Sequence, residues 1–243
     1  MYDRRCTALV LAAGSGRRMG AEVPKQYMDL GGAPLFTHAY RRMEASPVIS
    51  DIVLVVPDGD EACARACLSE QGLGEKLRAV TAGGAERYDS VAGGLEAVTW
   101  PCDIVFIQDG ARPFPEETFL RDLYDAVAVE GADGAVAAVP VKDTIKVSDA
   151  EGCAVSTPDR RTLWQVQTPQ VFPFGMIRDA YRQLPARRSP EGTIDGRQVT
   201  DDAMVAEAVC GARIRLVTAS YRNLKVTTPE DLLIAEAFIR SGI

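Results

Sequence analysis

Thr7-Ala8-Leu9-Val10-Leu11-Ala12-Ala13 runs without interruption into Gly14-Ser15-Gly16-Arg17-Arg18-Met19-Gly20. A continuous apolar run of this length, closed by glycines, reads as a strand buried on both faces and followed by a tight loop. The glycines let the backbone turn sharply and present N–H groups to an anion. Arg17, Arg18 and, farther on, Lys25 add positive charge. The spacing is that of neither common phosphate loop. Gly14-x-Gly16-x-x-x-Gly20 has one residue too many for the dinucleotide fingerprint, no acidic residue closes a second strand in the expected place, and no G-x-x-x-x-G-K-[ST] occurs. A plain glycine turn with solvated arginines therefore competes with a phosphate site, and Pro24-Lys25-Gln26 downstream weighs for the phosphate.

Outward from this stretch, apolar segments at Ile52–Val56, Arg78–Thr81, Ile104–Gln108 and Ala135–Val139 alternate with helical stretches near Leu35–Glu44, Glu61–Ser69, Arg87–Val98 and Pro115–Val129. Such alternation predicts an α/β fold, a parallel sheet with helices on both faces. Between Pro140 and Trp164 the pattern changes. Val141–Val147 and Cys153–Ser156 are short strand-like pieces around the polar turn Asp149-Ala150-Glu151-Gly152, with too few apolar residues to make a core. They read as a projecting β-hairpin, of the kind a partner subunit often covers. A helix over Pro173–Leu184, a loop over Pro185–Gly196, a helix over Asp201–Val209 and a strand over Arg213–Thr218 follow. Thr228-Pro229-Glu230-Asp231 opens the last helix with a cap, an N1 proline and acidic residues. The expectation is one domain over 1–243, with 140–163 as a dimerisation arm.

The 243 residues carry a formal net charge of −7, which argues against non-specific binding to nucleic acid or to an anionic membrane surface. No apolar run is long enough to span a bilayer. Six scattered cysteines with no C-x-x-C, beside a single histidine, His38, argue against a structural zinc site and fit a cytoplasmic location. His38 sits in an amphipathic pattern and reads as a surface or satisfied histidine, so no Ser-His-Asp or Cys-His arrangement is evident.

Gln108-Asp109-Gly110-Ala111-Arg112-Pro113 falls at the carboxyl end of the fourth strand, the edge where open α/β sheets bind ligands. Asp109 is well placed there to hold Mg²⁺ on a nucleotide phosphate, or is a turn aspartate before a helix. Gly83-Gly84-x-x-Arg87-x-x-Ser90 opens a helix after the third strand. Asp159-Arg160 reads as a solvated charge pair, Thr168-Pro169-Gln170 as a turn, and Thr200-Asp201-Asp202 as a helix cap. Asn223-Leu224-Lys225-Val226-Thr227 sets a lysine inside an apolar strand, where it snorkels outward or meets a phosphate. A cationic site with one acidic ligand suits nucleotidyl transfer, in which catalysis is mostly positioning and charge neutralisation. A phosphate monoester nucleophile, with a second pKa of about 6, needs no general base.

In order along the chain, Leu11 to Met19, Pro24-Lys25-Gln26-Tyr27, Asp109-Gly110-Ala111-Arg112-Pro113, Val141-Lys142-Asp143-Thr144-Ile145-Lys146, Thr168-Pro169-Gln170, Thr200-Asp201-Asp202-Ala203 and Lys225-Val226-Thr227 resemble the 2-C-methyl-D-erythritol 4-phosphate cytidylyltransferases of the non-mevalonate isoprenoid pathway. The resemblance implies a Rossmann-like nucleotidyltransferase sheet, a homodimer in which the hairpin reaches the neighbour's site, and transfer of CMP from CTP to a small polyol phosphate with Mg²⁺. By the same resemblance, Arg18 and Lys25 stabilise charge at the α-phosphate, and Arg160 and Lys225 position the attacking phosphate. Ala12, Ala13, Gly14, Ser15, Gly16, Gly83, Arg87 and Ser90 fall where the nucleotide is held. Asp109, Arg112, Thr168 and Asp201 fall near the substrate, with Asp109 as metal ligand. Gly110 stands where the family usually has alanine. The Asn223-Leu224-Lys225 run is similar to that of the related ribitol-5-phosphate cytidylyltransferases, which leaves ribitol 5-phosphate as the alternative polyol. From other classes, a nicotinamide oxidoreductase and a non-catalytic nucleotide-binding regulator remain as rivals. The wrong glycine spacing weighs against the first, and the intact cationic cluster against the second.

Overall fold

Strand β1 (Cys6–Leu11) is buried from Cys6 to Val10, as its unbroken apolar sequence requires. The computed structural model describes residues 2–14, 24–189 and 192–242. A small ribbon of β2 (Asp29–Leu30) and β3 (Ala33–Pro34) leads into α1 (Leu35–Ala45). Then come β4 (Asp51–Val56), α2 (Glu61–Glu70), β5 (Leu77–Ala82), α3 (Arg87–Glu96), β6 (Ile104–Asp109), α4 (Glu117–Ala128) and β7 (Gly134–Pro140). The hairpin strands are β8 (Val147–Ser148) and β9 (Ala154–Ser156). They precede β10 (Trp164–Pro173), α5 (Phe174–Arg187), the short pair β11 (Thr193–Ile194) and β12 (Arg197–Gln198), α6 (Asp202–Cys210), β13 (Ile214–Thr218) and α7 (Pro229–Arg240).

The main sheet has the order β13-β7-β10-β6-β1-β4-β5. From β1 the chain moves outward through β4 and β5, then returns to β6 on the other side of β1. The reversal puts the topological switch point between β1 and β6, and the crevice beyond their carboxyl ends is where such sheets bind ligands. The period-2 alternation of strand side chains divides the core between the two faces. Ala8 and Val10 of β1 pack with α1, α2 and α4, whereas Leu9 packs with α3, α5 and α6. A third apolar cluster, built on Leu30, Leu35, Phe114, Val226 and Ala235, seats α7 beside the crevice. Among the described residues no helix is long and apolar enough to cross a membrane.

The sheet departs from the all-parallel expectation in one strand. β10 runs antiparallel to both β6 and β7, with a register shift between Val166 and Gln170 and a cis Thr168–Pro169 bond. Thr168-Pro169-Gln170 is thus a bulged piece of strand and not a free turn. Its glutamines and prolines hide the strand from a pattern reading, because proline in a sheet is confined to edges and bulges. Pro173, read as helical, closes β10, and α5 begins at Phe174. The loop read from Pro185 starts later, since α5 runs through Arg187 with Pro185 inside its last turn. Lys225 lies in no strand. Its segment is irregular, held by Val226 N–H donating to the Ala111 carbonyl at 2.8 Å.

The hairpin does project. Residues 142–157 are exposed throughout, with Val155 60% and Val147 45% accessible. Its base is tied down by Tyr221, whose hydroxyl donates to the Pro140 carbonyl at 2.6 Å and whose ring lies 3.4 Å from Lys142 Nζ. His38 is satisfied, with Nε2 2.7 Å from the Leu30 carbonyl oxygen.

Candidate active site

Leu11 and Asp109 are register partners at the ends of β1 and β6, so the segment after β1 and the Asp109 loop lie side by side. Gly110 N–H donates to the Leu11 carbonyl at 2.8 Å and locks the two together. A cavity of about 600 Å³ opens above them, a size that suits a nucleotide. Of the residues singled out in the sequence, Ala12, Ala13, Gly14, Lys25, Arg87, Ser90, Asp109 and Lys225 line it. Ser15, Gly16 and Arg18 lie outside the described residues. A second cavity of about 220 Å³ adjoins the first and takes in Arg112, Thr168 and Asp201. Arg87, Asp109 and Lys225 line both cavities and form the wall they share.

Gly83 does not line the larger cavity; Gly84 does. Gly83 is packed behind it, where an added methyl would stand 2.3 Å from the Ala13 methyl and 2.8 Å from Ser90 Oγ. Neither neighbour can retreat far, for Ala13 follows the central strand and Ser90 Oγ accepts from the Gly84 N–H at 3.1 Å. Gly83→Ala is expected to cost about 1–3 kcal/mol, as overpacking of a tight core does. A urea unfolding midpoint equal to that of the parent would overturn the expectation.

Asp109 is the electrostatic centre. Its Oδ1 accepts from Arg87 Nε at 3.1 Å, and Lys225 Nζ is 2.6 Å from Oδ2. Burial by itself would raise the carboxyl, but Arg87 and Lys225 outweigh it and hold the group well below the usual carboxylate range. Lys225 reaches it because Leu224 and Val226, its neighbours in sequence, anchor in the third apolar cluster. Thr168, brought round by the bulge, accepts the Asp109 N–H on Oγ1 at 3.0 Å. Arg112 donates from Nη1 to the Asn223 carbonyl at 2.8 Å, while its buried Nε has no hydrogen-bond partner. Asp201 caps α6, its Oδ1 accepting from Met204 N–H at 2.9 Å.

Arg160 lines neither cavity of its own chain. It stands in the exposed hairpin, donating from Nη1 to the Lys142 carbonyl at 2.7 Å. The Asp159-Arg160 dipeptide is not an ion pair, because the partner of Asp159 is Arg161, at 2.6 Å.

The donor set fits a magnesium ion. Mg²⁺ is usually held by one or two carboxylates together with substrate phosphates. Asp109 supplies an ionised carboxylate, and two of its roughly four lone-pair positions are used by Arg87 and Lys225. Among the described residues no three His, Cys, Asp or Glu side chains gather into an all-protein cage, which Mg²⁺ does not require.

Several residues around the cavities escaped the sequence reading. Gln26 lines the larger cavity with both side-chain polar atoms buried and without a hydrogen-bond partner. Its only signal was membership of Pro24-Lys25-Gln26. Gln167 and Gln170, on β10, line the smaller cavity. Asp202 and Tyr181 lie behind Arg87. The repeated acid of Thr200-Asp201-Asp202 hinted at Asp202, since one aspartate suffices for a cap, but nothing marked Tyr181.

Residues 6–241 match the family model described as IspD, 2-C-methyl-D-erythritol 4-phosphate cytidylyltransferase. A protein of that name from Lachnospira eligens is 43% identical over 96% of this chain and 99% of its own length. Another from Geotalea uraniireducens is 42% identical over 98% and 97%. The crystal structure of 4-diphosphocytidyl-2C-methyl-D-erythritol synthase from Anaerococcus prevotii superposes with a TM-score of 0.82 at 28% identity, covering 98% of this chain and 96% of that one.

Proposed function

The chain belongs to the 2-C-methyl-D-erythritol 4-phosphate cytidylyltransferase family, and from that premise we propose how its residues divide the work. It transfers CMP from CTP to 2-C-methyl-D-erythritol 4-phosphate and releases pyrophosphate. The observation that carries the division is the shared wall of Arg87, Asp109 and Lys225 between a larger and a smaller cavity. CTP occupies the larger, over Ala12, Ala13, Gly14 and Ser90. The polyol phosphate occupies the smaller, among Arg112, Thr168 and Asp201. Its phosphate then meets the α-phosphorus of CTP at the wall.

A phosphate oxygen of the polyol attacks the α-phosphorus in line. The new P–O bond forms as the bond to the β-phosphate breaks, and the electron pair leaves with pyrophosphate. Arg18 and Lys25 offset the charge that develops on the α-phosphate. Lys225, and Arg160 of the partner subunit, hold the nucleophile at attack distance. Asp109 would hold Mg²⁺, which when bound would supply further charge neutralisation. The exposed apolar residues of the hairpin, Val147 and Val155 among them, favour burial against a second copy in a homodimer. Membrane and nucleic acid play no part, and the setting is the cytoplasm.

Pyrophosphate release from CTP, measured in parallel with methylerythritol phosphate and ribitol 5-phosphate, tests the assignment. Strong preference for the first, abolished by EDTA and restored by Mg²⁺, is the expected result. Preference for ribitol 5-phosphate would move the substrate and keep the chemistry, and release unaffected by EDTA would remove the metal.

A further inference from the structure

Arg87 belongs to the wall between the cavities, yet its charged head is committed elsewhere. Nη1 and Nη2 donate to Asp202 Oδ1 and Oδ2 at 2.9 and 2.8 Å, while Nε alone faces Asp109. Asp202 is fully buried at the start of α6. Tyr181 of α5 donates its hydroxyl to Asp202 Oδ1 at 2.5 Å. From β10, Gln170 Oε1 accepts the N–H groups of Asp202 and Ala203, both at 2.9 Å. The carboxylate, which touches neither cavity, is thus held by α3 and α5, while β10 holds the backbone beside it.

Burying a carboxylate is costly unless it is paired and hydrogen-bonded. The helix does not require this one, because Asp201 already caps it. What Asp202 does visibly is fix the plane of the guanidinium. With both terminal nitrogens forked onto Asp202, Arg87 meets Asp109 through Nε alone.

We propose that Asp202, backed by Tyr181, is a positioning residue that turns Arg87 edge-on to Asp109, so that Arg87 takes one oxygen of Asp109 and leaves the other to Lys225 and the substrates. Without Asp202, the two terminal nitrogens of Arg87 lose their partner. A guanidinium fork pairs most readily with both oxygens of one carboxylate, and the nearest is Asp109. Arg87 then occupies both oxygens, displaces Lys225 from its 2.6 Å contact and shifts the wall toward the smaller cavity. The charge of Asp202 also offsets that of Arg87, so of the two cations on Asp109 only Lys225 is uncompensated. Burial and the neighbouring Asp202 raise the Tyr181 hydroxyl well above its ordinary range, which keeps it a donor.

The inference rests on the roles proposed for Asp109 and Lys225, and the experiment separates the two. In Asp202→Asn, kcat/KM for the polyol phosphate is expected to fall about 10- to 100-fold, the size seen when a group that orients a site residue is removed. CTP affinity, measured by calorimetry without the second substrate, should move far less. In an Arg87→Met background the same Asp202→Asn change should cost nothing further, since its route to the site is gone. Equal losses in the two backgrounds, or an unchanged polyol-phosphate KM and kcat in folded Asp202→Asn, would overturn the proposal. Tyr181→Phe keeps the ion pair and guards against a variant that does not fold. It should raise the polyol-phosphate KM in the same direction by a smaller factor, and parent-like constants there would overturn the part given to Tyr181. Asp109→Asn is measured beside them. If it is inactive while Asp202→Asn is parent-like, only the positioning role falls; if it is active, the reading of Asp109 falls and the positioning role with it.

Discussion

Lys25→Ala lowers kcat by about 10²–10³, the cost of removing one focused donor from a transition state that gains charge. Lys25 lines the larger cavity from a short 3-10 turn that faces the carboxyl ends of β1 and β6. The negative charge that builds on the α-phosphate has no counterpart of equal size in bound CTP, so its stabiliser is felt in kcat more than in KM. The residue is half-buried at the cavity rim, and its removal leaves the two large apolar cores untouched. Steady-state kinetics beside a thermal melt checks this. A kcat within a few-fold of the parent, in a protein of unchanged Tm, would remove Lys25 from the chemistry.

Arg160→Ala is the second large effect, and its signature lies in mixtures. Arg160 is exposed on the hairpin and lines neither cavity of its own chain, so its loss should silence a site on another copy. Lys25→Ala and Arg160→Ala subunits, each inactive alone, should recover activity once their chains exchange. The mixed dimer contains one site with both residues intact and one with neither. With random pairing, about a quarter of all sites are then complete, and activity should approach about a quarter of the parent's. Recovery is read from pyrophosphate release after exchange, with chain exchange itself followed by mass spectrometry. A mixture that exchanges fully and stays inactive would show that Arg160 serves no neighbouring site.

Where the chain builds continuous apolar strands, the sequence was legible. β1, β4, β6 and β7 were read within a residue or two, because a strand buried on both faces has no polar positions to confuse the pattern. β10 was missed for the converse reason. Its glutamines, Thr168 and Pro169 are there to line a cavity and make a bulge, and residues chosen for a site break the periodicity that reveals a strand. The Lys225 segment was misread in the other direction. Leu224 and Val226 look like strand residues, but they are apolar in order to seat an irregular loop under α7. Asp109 and the residues after β1 were legible because strand ends and glycines mark them. The chain Tyr181–Asp202–Arg87 was not, because hydrogen bonds between residues 21 and 115 positions apart leave no local trace.

The shared wall joins two kinds of backbone. Asp109 ends an innermost strand that pairs on both sides, whereas Lys225 rides on a segment outside every sheet, with one backbone bond from Val226 to Ala111 beside it. Local opening begins where backbone pairing is thinnest, and central strands exchange their amides only when the whole domain unfolds. The contact between Lys225 and Asp109 therefore bridges a fast-breathing edge and a slow-breathing centre. If Lys225 holds the incoming phosphate as proposed, warming is expected to weaken binding of the second substrate before that of the first.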